Sequence, residues 1–168
     1  MMNYLRIFLF VLLQALVVSR IQLFDGLVLP FVYIFSLLMF PFDTPRWLLL
    51  VIGFFTGILM DLFTGPPGLH TSACLLLVFL QPLIQNMLAP REGYDSNLKP
   101  TIHKMGLAWY TTYAGILTFA HHTWLIFFEF LRWDKFFFQL FHILLSSIAT
   151  LLLMILAQLL ISPNKKSS

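Results

Sequence analysis

The sequence predicts an all-α integral membrane protein, a bundle of six transmembrane helices forming one domain over residues 1–162 with a short polar tail. Three observations predict it. Of 168 residues, 60% are hydrophobic and only 10% are charged, whereas a soluble domain carries about 25% charged residues. The apolar residues fall into six runs, most of them close to the roughly 20 residues that a helix needs to cross a bilayer. Between the runs stand prolines, glycines and charges, which are turn and boundary residues. With Lys plus Arg at 10 and Asp plus Glu at 7, the net charge is +3. Such a chain has too few charges to be solvated by water on all sides. The same composition excludes a disordered chain and a nucleic-acid binder that relies on a basic surface.

The runs cover residues 4–23, 26–42, 47–63, 69–88, 105–131 and 136–161. Asp25 and Gly26 open the second, which contains Pro30, and Pro41, Asp43 and Pro45 close it. Gly65, Pro66, Pro67 and Gly68 make an uncharged turn between the third and fourth. Residues 90–104 form a polar loop, and Arg132, Asp134 and Lys135 separate the last two runs. Residues 163–168 are a polar tail expected to be cytoplasmic. Strands of a membrane barrel would alternate apolar and polar residues. Leu48 to Ile52 and Leu151 to Leu156 are apolar at every position, so the barrel is rejected. The first run lacks a small-residue cleavage site, with Ser19, Arg20 and Ile21 in its place, and reads as an uncleaved span.

Orientation follows from basic residues in short loops. Six spans put both termini and the second and fourth loops on one side. That side holds Arg6, Arg46, Arg91, Lys99, Lys104, Lys165 and Lys166, against Arg20, Arg132 and Lys135 on the other. Both termini are therefore expected in the cytoplasm. Trp47, Trp109, Trp124 and Trp133 lie near span ends, as interfacial anchors do. Cys74 stands alone in an apolar run, so no internal disulfide forms, and it reads as a small buried apolar residue.

The third run carries the most information. Gly53 and Gly57 are four residues apart, which places them on one helix face where another backbone can approach closely. Asp61 follows four residues later on nearly the same face. A carboxylate in the middle of a span costs about 2.5–3.5 kcal/mol. The negative end of the helix dipole adds to that cost here. Asp61 is thus either a surface carboxylate beside the turn or an inward group that meets a partner, a lipid headgroup or a solute. His70, at the start of the fourth run beside Gly68, is expected to hydrogen-bond Asp61 across the turn. In the fifth run Thr111, Gly115, Thr118, His122 and Glu129 lie near one face, at spacings of four, three, four and seven. Such a stripe belongs against other helices or a polar groove. His142, Ser146, Ala149 and Ala157 repeat the pattern in the sixth run.

No catalytic or metal site is predicted. HExxH and paired-cysteine patterns are missing, and His121 and His122, about 100° apart on a helix, do not readily share a metal. No Gly-x-Ser-x-Gly elbow or phosphate-binding glycine loop occurs, and no cofactor is expected.

The segment Gly57-Ile58-Leu59-Met60-Asp61-Leu62-Phe63, followed by Gly68-Leu69-His70-Thr71-Ser72-Ala73, resembles the signature of the MreD family, the bacterial rod shape-determining membrane proteins. Chain length, the short N-terminus and Pro30 agree with it. The loop Pro90-Arg91-Glu92-Gly93-Tyr94 and the pair His121-His122 with Phe128-Glu129 resemble the Bacteroidetes branch. The resemblance implies a non-enzymatic subunit of the cell-elongation machinery in the cytoplasmic membrane. Its expected partners are an MreC-like protein and, through it, MreB, RodA and a class B penicillin-binding protein, together with membrane lipid. The family is also grouped by fold with substrate-binding subunits of energy-coupling-factor transporters. Gly53, Gly57, Asp61, Gly68, His70, Thr118, His122 and Glu129 are the candidate partner- or ligand-binding residues. The alternative is a solute-binding transmembrane subunit of a transporter, since spans interrupted by glycine or proline often mark binding sites.

Overall fold

A computed structural model describes residues 2–16, 26–64, 66–95, 98–130 and 135–161. Seven helices occur among them: α1 (Met2–Leu16), α2 (Ile34–Leu38), α3 (Arg46–Thr64), α4 (Leu69–Met87), α5 (Ile102–Met105), α6 (Leu107–Phe130) and α7 (Phe136–Ile161). The described residues contain no β-strand. Among the described residues, three helices are long and apolar enough to cross a membrane: α3, α4 and residues Phe136–Leu160 of α7. Helix α6 has 24 residues and carries threonines, tyrosines and paired histidines among its apolar side chains. Residues 17–23 of the first expected span lie outside the described residues, and α1 itself has 15. Leu5, Phe55, Leu62, Phe79, Leu152 and Leu160 are exposed on the outer surface, which suits hydrocarbon rather than water.

The six-helix expectation fails at the second run. Residues 26–42 form no spanning helix; they hold only the five-residue α2, with irregular backbone before it. The reason is local. Pro30 has no N–H and turns the residue before it away from helical geometry. The backbone is satisfied from outside instead. Gln14 of α1 donates Nε2–H to the Pro30 carbonyl at 3.0 Å and accepts from the Val32 N–H at 2.7 Å. Ser146 and Thr150 of α7 accept the N–H groups of Leu29 (3.0 Å) and Phe31 (3.1 Å). Non-helical backbone survives at membrane depth only where the protein itself meets those groups.

The stretch runs alongside α7 in the same direction. Leu29 meets Ser146, and Met39 meets Gln158, whose Nε2–H lies 3.3 Å from the thioether sulfur. Twelve helical residues separate the two contacts, about 18 Å. Helix α1 runs the opposite way, with Arg6 beside Ser36 and Gln14 beside Pro30. Helices α4 and α6 are antiparallel: Ser72 pairs with Trp124, and Leu88 pairs with Trp109. The start of α3, the end of α4 and the end of α7 therefore gather at one end, toward which the start of α1 also lies. That end is closed by Phe42, which stacks on Tyr94 at 3.8 Å and meets Trp109 edge-on, while the Phe42 N–H bonds the Leu98 carbonyl. The Tyr94 hydroxyl donates to the Gln85 carbonyl at 2.7 Å, and Gln158 accepts from the Ile102 N–H at 2.7 Å.

Candidate functional site

Two polar centres organise the bundle, one at the part-exposed α3–α4 turn and one in the interior. The first begins at Gly57. A Cβ there would overlap the Thr71 Cα and lie 2.8 Å from the Thr71 nitrogen and 3.0 Å from the His70 carbonyl oxygen. Only glycine permits this approach, so α3 and α4 touch backbone to backbone. One turn earlier, a Cβ at Gly53 would meet the Val78 side chain at 2.8 Å. The close crossing carries Asp61 to the start of α4. Its Oδ2 accepts from the Gly68 N–H (2.8 Å), the Thr71 N–H (3.2 Å) and the Thr71 hydroxyl (2.6 Å). Its Oδ1 accepts from the His70 N–H at 2.8 Å.

The first N–H groups of any helix lack an internal partner. Gly68, at the cap position with φ +96°, has no side chain to supply one. Asp61 supplies it from the neighbouring helix, and its charge faces the positive end of the α4 dipole. That resolves the anomaly of an acid in the last turn of α3. Two expectations are corrected here. The bond to His70 comes from its backbone N–H, while its imidazole turns inward. The Gly53–Gly57 face, read as a surface for another helix, is filled by α4 of the same chain.

The second centre is built around the irregular stretch before α2. The Tyr33 hydroxyl lies 3.1 Å from His70 Nδ1 and 2.8 Å from His121 Nε2, and the Cys74 thiol donates to it at 3.6 Å. Tyr33, Cys74 and His121 are fully buried. The hydroxyl has one hydrogen, so one imidazole accepts from it and the other donates to it. The two tautomers are thereby linked through one oxygen. The Phe31 ring packs among three imidazoles, with centroids 5.6 Å from His70, 6.0 Å from His121 and 5.1 Å from His122. His122 Nδ1 bonds the Thr118 carbonyl at 2.8 Å, and its Nε2 lies 3.0 Å from the Thr150 hydroxyl that also holds Phe31. The adjacent histidines of α6 thus bind different elements.

The structure brings Gly57, Asp61, Gly68 and His70 together at the α3–α4 turn, and Thr118 and His122 together in the interior. Glu129, eight residues beyond His121, is exposed and belongs to neither centre. Sequence reasoning missed Gln14, Tyr33 and His121, and placed Thr150 in no pattern. A usable signal was present: Pro30 within an apolar run requires outside partners, and Ser146 and Thr150, one turn apart, supply two. Among the described residues, no group of three or more His, Cys, Asp or Glu is disposed to hold a metal ion.

No protein-family model, characterised protein or solved structure matches the chain. Geometry alone therefore bears on chemistry. The first centre ties two helices; the second pins an irregular segment to α1, α4, α6 and α7 by exchangeable side-chain hydrogen bonds. Both build and hold shape.

Proposed function

We propose that the chain is a non-enzymatic membrane subunit of the bacterial cell-elongation complex, of the MreD type, residing in the cytoplasmic membrane with both termini cytoplasmic. The observation that supports this most is the α3–α4 hairpin. The two sequence segments that resemble the family meet there, and Gly57 and Asp61 close it. The reading makes an MreC-like protein the direct partner, and MreB, RodA and a class B penicillin-binding protein the indirect ones. With the glycine face filled, recognition falls to the outer surface, where Gly68 and Glu129 are the exposed candidates. Depletion in a rod-shaped host should give round, swollen cells with unchanged solute uptake. Normal cell width after depletion would refute the proposal.

A second reading, a solute-binding transporter subunit, is favoured by one observation: irregular backbone at residues 28–33 inside a polar interior. Interrupted spans of this kind line binding sites in transporters. Loss of uptake of one solute on depletion, with normal cell width, would select it.

A further inference from the structure

A line of polar side chains leads inward from the Tyr33 hydroxyl. Cys74 of α4 and His121 of α6 both reach that hydroxyl, and the two helices run antiparallel past it. Gln81 stands seven residues beyond Cys74, two turns along the same face of α4. On α6, His121, Thr118, Ala114 and Tyr110 follow one another down one face at steps of three, four and four. At about 1.5 Å per residue, Gln81 and Ala114 each lie about 10 Å from the level of Tyr33. The Gln81 amide therefore comes level with the smallest side chain of the α6 stripe. All six residues of the two stripes are fully buried.

These side chains have hydrogen-bonding capacity that the protein does not use. Among the described residues, neither Oε1 nor Nε2 of Gln81 has a partner, and the same holds for Thr118 Oγ1, His121 Nδ1 and the Tyr110 hydroxyl. The Tyr113 hydroxyl stands near Gln81 but cannot donate to it. Its one hydrogen goes to the Leu38 carbonyl at 3.2 Å, and it already accepts from Gln85 at 3.3 Å. An amide or hydroxyl is costly to bury bare, and most of all at membrane depth. The row needs a partner that both donates and accepts, since Gln81 Oε1 can only accept and Nε2 can only donate. Neither stripe carries Asp, Glu, Lys or Arg, so the partner is uncharged. The five atoms are strung along about 16 Å of α6 rather than gathered at one point. Single waters, each making two to four hydrogen bonds, suit that spacing better than one compact solute.

We infer that the seam between α4 and α6 binds a short file of water from His121 to Tyr110, anchored by Thr118 and Gln81. The water beside His121 supplies the Nδ1 partner and so helps to fix the tautomer that faces Tyr33. This goes beyond both functional readings and depends on neither. The test uses the full chain in lipid nanodiscs under a brief X-ray pulse. Radiolysis of bound water makes hydroxyl radicals in place, and these oxidise the side chains beside them. Tyr110 and His121 should be oxidised although fully buried, while Phe35, buried against Phe10, stays unmodified. Gln81→Leu should bring Tyr110 down to the level of Phe35. Thr118→Val, which keeps the side-chain shape and so carries the test if Gln81→Leu folds poorly, should do the same at His121. In ¹⁵N spectra Thr118→Val should also move the His121 Nδ1 signal and spare His122, whose Nδ1 bonds the Thr118 backbone carbonyl. Unmodified Tyr110 and His121, oxidation of Phe35 to the same degree, or labelling and ¹⁵N signals unchanged in Thr118→Val would overturn the inference. So would native mass spectrometry showing a small organic molecule that is retained by the protein and lost in Gln81→Leu.

Discussion

Replacing Gly57 by alanine adds one methyl group at the point where α3 and α4 are closest. Alanine is the better helix former by about 1 kcal/mol, so an uncrowded site would gain stability. At Gly57 the new carbon meets Thr71 Cα and nitrogen and the His70 carbonyl, all backbone atoms that cannot rotate away. Overpacking costs about 1–3 kcal/mol, and rigid neighbours put the cost toward the upper end. Separating the helices also stretches the four hydrogen bonds of Asp61, one turn further along. The net expectation is a loss of about 2 kcal/mol. Gly53→Ala is the milder comparison, because its methyl meets the Val78 side chain at 2.8 Å and backbone only at 3.4 Å. It should lose stability too, but less than Gly57→Ala. Equilibrium unfolding of both variants in mixed micelles, followed by far-ultraviolet circular dichroism, reads the difference. A companion Thr71→Ala change should not rescue Gly57→Ala, since it leaves the obstructing atoms in place. Equal stability of the two glycine variants, or rescue by Thr71→Ala, would refute the close-contact argument.

Asp61→Leu should destabilise the fold by about 2–3 kcal/mol in the same unfolding assay, because it strips several charge-assisted bonds from the α4 terminus; Asp61→Asn should cost less, as the amide oxygen still accepts. Gln14→Leu orphans the buried Val32 N–H and Pro30 carbonyl and should cost about 2–5 kcal/mol, with hydrogen exchange accelerating at Val32 and in the neighbouring α2. Tyr33→Phe removes the oxygen shared by two imidazoles and should change the ring-nitrogen shifts of both His70 and His121 in ¹⁵N spectra; a shift at one histidine only would break the proposed link. Burial raises the Tyr94 hydroxyl above its ordinary value of about 10. Its contribution is thus fully present below pH 10 and fades as pH rises through the folded value, and Tyr94→Phe should flatten stability across that range.

Much of the architecture is legible in residue order. Helix α3, expected over residues 47–63, runs Arg46–Thr64; α4 starts at Leu69 as expected and ends at Met87, one residue early; α7 matches the sixth run. Long apolar runs bounded by turn residues leave the backbone no alternative in hydrocarbon. The second run misleads because it is as apolar as a span yet interrupted by Pro30, and run length does not register whether the amide groups are met from within. The answer lies in Gln14, Ser146 and Thr150, two of them more than a hundred residues away. The partner of Asp61 is hidden in the sequence for a related reason. The acid's position reads as a cost when α3 is considered alone, and as a helix cap once Gly57 has brought α4 alongside.

Those two features bear unequally on the competing functional readings. A scaffold needs its helices fixed, and the backbone contact at Gly57 with the four bonds to Asp61 fixes α3 to α4 without a movable part. A solute-binding subunit needs a segment that can exchange its partners for a ligand. Residues 29–32 meet that requirement, since Gln14, Ser146 and Thr150 hold them by side-chain bonds that a polar solute could replace one for one. Cysteine pairs can separate the cases: Val28→Cys with a cysteine at Ser147, next to the residue that holds Leu29, should clamp the stretch by crosslinking. If the clamped protein still supports rod shape in cells, the irregular segment is a structural strut. If shape is lost on crosslinking and returns on reduction, movement of the segment is part of the work, and rigid scaffolding is an incomplete account.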